Sequence, residues 1–183
     1  MLVLKLEDNP PVLPAGIEAL DQIKGTWWVA HTKSRFEKAF AWDLLRRGIG
    51  YYLPLVERVR ISGGRRRKVL APLFTSYVFF CGDENARYTA LTTDRLCQTI
   101  AIPDQEQFLS QIAAVHKAMS SNAQLDPYPF LATGKRCRIV GGPFMGIEGI
   151  VISRDRKARI VLEVSILGQA VVMEIDPSLL EAA

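Results

Sequence analysis

From residue 132 to the end of this 183-residue chain there is no helical periodicity before the last few positions. Apolar and polar residues alternate instead, in four runs: Lys135–Val140, Gly149–Arg154, Arg159–Ser165 and Gln169–Ile175. A repeat of two marks a strand with one buried face. Glycine and charge clusters separate the runs, and so short a stretch with that pattern predicts a small, strongly curved all-β barrel.

The chain before it has a different grammar. Thr26–Thr32 alternates as a strand, with Trp27, Val29 and His31 on one face and Trp28 and Ala30 on the other. A helix is expected next. Ser34 and Glu37 have capping-box spacing, and Phe36, Phe40 and Leu44 recur every four residues. Arg46 and Arg47 suit its negative end, and Gly48 its C-terminal cap. Short β-like runs follow at Tyr51–Leu53, Val56–Ile61, Arg65–Leu70, Ser76–Cys81 and Cys97–Ile102, with a short helix over Glu84–Thr92. Asp104 and Gln107 open a last helix that buries Phe108, Ile112, Val115 and Met119. Mixed strands and helices over this stretch predict an α+β fold.

The expected organisation is therefore an N-terminal extension (1–24), broken by Pro10, Pro11 and Pro14, an α+β domain (25–119), a linker (120–131) and the β domain (132–183). Apolar residues make up 49% and charged residues 23%, an ordinary globular balance. Three widely spaced cysteines and two histidines argue against a disulfide scaffold or a metal site and point to a reducing cytoplasm. Glu7 and Asp8 do not fit a signal peptide, and no apolar run is long enough to span a bilayer.

Catalytic signatures are absent. There is no nucleophile elbow, no phosphate-binding loop and no metal-spaced cluster. His31 lies among apolar neighbours on a strand, and Cys97 and His116 do not make a nucleophile pair. No enzyme activity, cofactor or metal is expected.

Three features remain. Residues 58–68 hold six basic side chains and no acidic one, so the net charge of +4 is concentrated in one predicted hairpin and the rest of the chain is slightly acidic. Such a hairpin is either a solvated tip or a contact for a polyanion, and Lys33, Arg35, Lys38, Arg46 and Arg47 favour the polyanion if they share its face. Phe74, Tyr77, Phe79 and Phe80 crowd one strand, which is either covered on both faces or exposes a patch for a partner. Four glycines and Pro143 in residues 141–149 place Phe144 and Met145 at a loop tip, tucked under the barrel or open to another protein.

These residues resemble a family. Gly134–Val151 resembles the strand, glycine-rich turn and return strand of a KOW domain, and Val164–Ala170 with Val172–Ile175 is similar to the last strands of the KOW domain of bacterial NusG proteins. Trp27-Trp28-Val29 with His31-Thr32, the Ser34–Glu37 helix start and Pro72–Phe79 resemble the NusG N-terminal (NGN) domain. The Pro-Leu-Phe-x-x-Tyr form is especially like specialised paralogues of the RfaH type.

The resemblance implies an antiparallel sheet flanked by helices, joined by a flexible linker to the KOW barrel. It implies a monomeric elongation and antitermination factor that binds the β′ clamp helices of RNA polymerase, reaches toward the β subunit and suppresses pausing. His31, Phe74, Tyr77 and Phe79 fall at clamp-contacting positions. Lys33, Arg35, Lys38, Arg46, Arg47, Arg65, Arg66, Arg67 and Lys68 fall where paralogues approach upstream or non-template DNA. Phe144, Met145, Ile166 and Leu167 fall where the KOW domain meets the termination factor Rho or a small-subunit ribosomal protein. Two alternatives accompany this reading: a housekeeping NusG factor that also supports Rho-dependent termination, and a ribosome-associated KOW RNA-binding protein. The alternating runs favour a permanent barrel over an RfaH-type helical hairpin.

Overall fold

A computed structural model describes residues 9–128, 134–154 and 157–183. Residues 1–8 of the expected extension and 129–131 of the expected linker lie outside the described residues. The chain forms two compact units, Met1–Pro103 and Asp104–Ala183. The last helix thus groups with the C-terminal strands rather than with the residues before it.

In the first unit, β1 (Thr26–Thr32), β2 (Gly50–Tyr52), β5 (Tyr77–Gly82) and β6 (Leu96–Ala101) make an antiparallel sheet in the order β2-β5-β1-β6. Between β2 and β5, β3 (Leu55–Ser62) and β4 (Arg65–Pro72) pair only with each other, as a two-stranded ribbon. Its turn is Gly63-Gly64, with φ of +56° and +73°. Positive φ at both central residues is what a tight hairpin matching strand twist requires, and only glycine adopts it without strain.

Helices α1 (Glu37–Arg46) and α2 (Glu84–Leu91) complete the unit. Phe40, Ala41 and Leu44 of α1 pack with Ala30, Tyr51, Leu53, Val78, Phe80 and Ala90 in one core cluster. Phe40 meets Phe80 edge-on, with centroids 6.2 Å apart. The start of α1 differs from the expected capping box. Phe36 occupies the cap position without a side-chain cap bond. Glu37 is buried and its Oε1 accepts from the Ser76 amide at 2.7 Å. The carboxylate therefore ties α1 to the turn before β5, where Ser76 itself has a φ of +66°. Phe36 does not join the buried stripe either; the Arg95 guanidinium sits 5.2 Å from its ring centroid.

The described part of the extension packs on this unit. Leu13 and Leu20 are buried, the Leu53 amide donates to the Val12 carbonyl at 2.9 Å, and the Tyr51 hydroxyl donates to the Pro11 carbonyl at 2.9 Å. Proline bars a ladder but leaves carbonyls free to accept.

The second unit begins with α3 (Gln105–Ser120), whose cap is as expected: the Asp104 carboxylate accepts from the Gln107 amide at 2.9 Å. Phe108, Ile112, Val115 and Ala118 are buried along it. Six antiparallel strands follow: β7 (Asp126–Tyr128), β8 (Lys135–Ile139), β9 (Glu148–Arg154), β10 (Ala158–Val164), β11 (Gln169–Ile175) and β12 (Leu180–Ala182). Their order is β12-β8-β9-β10-β11-β7. The four alternating runs match β8 to β11 within a residue at each end, and two short edge strands join them. A Cβ at Gly149 would stand 2.6 Å from the Val161 carbonyl oxygen, so β9 approaches β10 closely enough that only glycine fits. α3 packs on β10, whose Ile160, Val161 and Leu162 are all buried. The fold class is α+β, a helix-flanked antiparallel sheet followed by an all-β sheet.

Candidate functional site

The aromatic strand is central. β5 lies between β2 and β1, which pairs Val29 with Phe79 and His31 with Tyr77. His31 and Tyr77 are half-buried and stacked, with centroids 5.1 Å apart and planes 23° from parallel. Phe79 and Phe74 are buried. Phe79 stacks on Tyr52 at 6.2 Å and receives Phe74 edge-on at 5.9 Å. Burial pushes the Tyr52 hydroxyl far above its usual range. Of the four sequence-predicted positions, His31 and Tyr77 reach the surface, while Phe74 and Phe79 form the packed layer. The sequence could not rank them, because period-two alternation puts Tyr77 and Phe79 on one face and says nothing of what covers each.

The basic residues separate into groups. Lys33 Nζ bonds Asp94 Oδ1 at 2.7 Å. Arg46 and Arg47 at the end of α1 converge on Asp43, with Arg95 Nε 3.1 Å from its Oδ2. Burial pushes the Asp43 carboxyl up, but hydrogen bonds from Arg95 and Arg46 outweigh it and hold the carboxyl below its ordinary value. This hub was not foreseen; Asp43 sits within an apolar helical stripe, and its partner Arg95 is far away in sequence. Arg35 adopts a left-handed backbone with φ of +66°.

Lys38 alone of the α1 group is tied to the ribbon. Its Nζ donates to the Leu70 carbonyl at 2.6 Å. Burial, with the charge of Arg60, lowers its pKa. On the ribbon, Arg65, Arg66, Arg67 and Lys68 are exposed, and their register alternates between the two faces.

In the second unit, Phe144 is half-buried and Met145 is 57% exposed on the β8–β9 loop. Ile166 and Leu167 are half-buried in a single turn between β10 and β11, closed by Gly168 at φ +60°. Both loops are held by α3. Gln111 bonds Ser165 twice, accepting from its amide at 3.0 Å and donating to its hydroxyl at 2.7 Å. Lys117 Nζ donates to the Met145 carbonyl, and Ser121 Oγ to the Pro143 carbonyl at 3.2 Å. Among the described residues no cluster of histidine, cysteine, aspartate or glutamate could hold a metal ion. None of their helices is long and apolar enough to cross a membrane.

A stacked, half-open aromatic pair, a basic ribbon and two apolar-tipped loops are features of a binding surface. Residues 25–115 match the NusG family, described as transcription termination factor nusG. Residues 25–115 are thus a NusG-family region of the chain. Among solved structures it is similar to "Domain interaction in Thermotoga maritima NusG", with 17% identity, a TM-score of 0.47, and coverage of 87% of this chain and 97% of that one. It is also similar to "Crystal Structure of MjSpt4:Spt5 complex conformation B", with 13% identity, a TM-score of 0.26, and coverage of 86% and 96%. No curated protein sequence matches.

Proposed function

We propose that this protein is a transcription elongation and antitermination factor that binds RNA polymerase through the β1–β5 surface and recruits a further partner through its C-terminal loops. The observation that carries the reading is the His31–Tyr77 stack on the two central strands of the NusG-family region. A stacked aromatic pair half-open to solvent, on the same strand face as buried Phe79, is a preformed apolar anchor of the kind that dominates protein interfaces. Its ordering cost is already met by the cross-strand pairing.

No chemistry is required. A factor that binds the closed clamp of transcribing polymerase better than the open one shifts the population away from paused states by its differential affinity. The basic residues of α1 and the ribbon would meet upstream or non-template DNA. Phe144, Met145, Ile166 and Leu167 would meet Rho or a small-subunit ribosomal protein.

The test is co-purification with RNA polymerase elongation complexes. The double variant His31→Ala, Tyr77→Ala should lose at least tenfold in affinity while its thermal midpoint stays close to that of the parent. Undiminished retention on polymerase would reject the clamp assignment.

A further inference from the structure

The ribbon has two unlike faces. Side chains alternate along a strand, and residues paired across an antiparallel ladder share a face. The pairs Arg58↔Val69, Arg60↔Arg67 and Ser62↔Arg65 therefore lie together. That face holds four arginines and no carboxylate. The opposite face carries Glu57↔Leu70, Val59↔Lys68 and Ile61↔Arg66. There Glu57 is engaged by Lys68 at 2.8 Å, and Val59 and Ile61 are 59% and 72% exposed.

The arginine face is unusual in what it lacks. Among the described residues, Arg60, Arg65 and Arg67 form no ion pair. Successive rungs on one face are about 7 Å apart, so the four guanidinium groups crowd a small area. Like charges at that spacing repel, and a polyanion relieves the repulsion. Lys38, which feels the Arg60 charge, adds a fifth cation beside it.

The composition of the ribbon selects among polyanions. Residues 55–72 contain no Phe, Tyr or Trp. Single-stranded nucleic acid is held largely by stacking on such rings, so the ribbon lacks the device. Duplex RNA offers a deep, narrow major groove that such an element cannot enter. The DNA major groove is wide enough for a two-stranded ribbon, and duplex DNA carries one charge per about 1.7 Å of axis. Val59 and Ile61 share their face with Lys68, Arg66 and Glu57, and the three pairs of the arginine face hold no large apolar side chain beyond Val69.

We propose that the Arg58, Arg60, Arg65 and Arg67 face of the ribbon binds the phosphate backbone of double-stranded DNA without reading base sequence. This deepens the nucleic-acid part of the proposed function. It reassigns the contact by face: Arg58 and Arg60 join it, and Arg66 and Lys68 leave it.

The test uses the full chain without polymerase, so its outcome is read separately from that of the clamp reading. Fluorescence anisotropy with a labelled 20-base-pair mixed-sequence DNA duplex should give a dissociation constant of about 10⁻⁶–10⁻⁴ M at physiological salt, tightening as salt is lowered. The variant R58Q/R60Q/R65Q/R67Q should lose tenfold or more. It should also flatten the slope of log affinity against log salt by roughly 3 to 4, near 0.9 for each phosphate no longer neutralised. The variant R66Q/K68Q removes charge only from the opposite face and should lose markedly less, about threefold at most. Circular dichroism confirms that both variants remain folded, as expected of exposed positions. The proposal falls if the parent does not bind the duplex or binds the single strand or an RNA duplex of the same sequence as tightly. Equal losses in the two variants, or an unchanged salt slope in the fourfold variant, would overturn it too.

Discussion

The central strands β1 and β5 bury side chains on both faces, while beyond Leu55 neither strand of the β3–β4 ribbon buries a single residue. Both regions are antiparallel, and they lie in the same unit. One is held by what its side chains touch. The other is held by its ladder, its glycine turn and its root, where Lys38 meets the Leu70 carbonyl and Leu73 donates to the Pro54 carbonyl. The difference teaches where stability and recognition reside. A substitution in the sheet should act on folding first and on binding through it. A substitution on the ribbon should act on binding alone.

The strongest attempt to break this contrast is Phe79→Ala. Phe79 is fully buried between Tyr52 and Phe74, so the change removes transfer free energy and leaves a cavity. A loss of about 3–5 kcal/mol is expected. Chemical denaturation measures it directly. A loss under about 1 kcal/mol would show that Phe79 is free to leave the packed layer, and it would rejoin His31 and Tyr77 as a surface contact.

The contrast also explains what was legible in the sequence. The four C-terminal alternating runs predicted β8 to β11, although burial alternates in β8 but not along the middle of β10 and β11, where Ile160, Val161 and Leu162 and then Ala170, Val171, Val172 and Met173 are buried in succession. The ribbon was legible because Ser62-Gly63-Gly64 signals a turn and its charges have nowhere to hide. The aromatic strand was legible as a strand but not as a site. Phe74, Tyr77 and Phe79 carry similar hydrophobicity, and only tertiary cover separates the half-open one from the buried two. The Ser34–Glu37 capping box failed for a related reason. A buried carboxylate found a stronger obligation in the Ser76 amide, 39 residues on, than in its own helix end. Asp43 hid its hub in the same way.

Asp43→Asn sharpens the comparison at an intermediate size. The carboxylate side chain is 9% exposed and binds Arg46, Arg47 and Arg95, whose own side chains are 36–64% exposed. Exposure of the arginines discounts the ion pairs, so roughly 1–2 kcal/mol is expected. The pH dependence follows from the sign of the shift. The folded carboxyl titrates below its unfolded value, so its contribution is present above about pH 4 and is lost as pH falls through the lower, folded value. Unfolding curves between pH 6 and pH 2 should therefore be flatter for the variant than for the parent. Parallel curves would mean that the hub does not form in solution.

The smallest expected effect is the most discriminating, because it asks the ribbon to do nothing. Val59→Thr with Ile61→Thr exchanges two exposed apolar side chains for β-branched polar ones that suit a strand equally well. Thermal unfolding should shift stability by no more than about 0.5 kcal/mol. DNA-duplex affinity should also hold, since both residues lie opposite the arginine face. If stability falls by about 2 kcal/mol, then something in the protein covers that face, and the ribbon is packed like the sheet. If stability holds but polymerase retention drops, the ribbon carries a second contact on its apolar side, and its two faces serve two different partners.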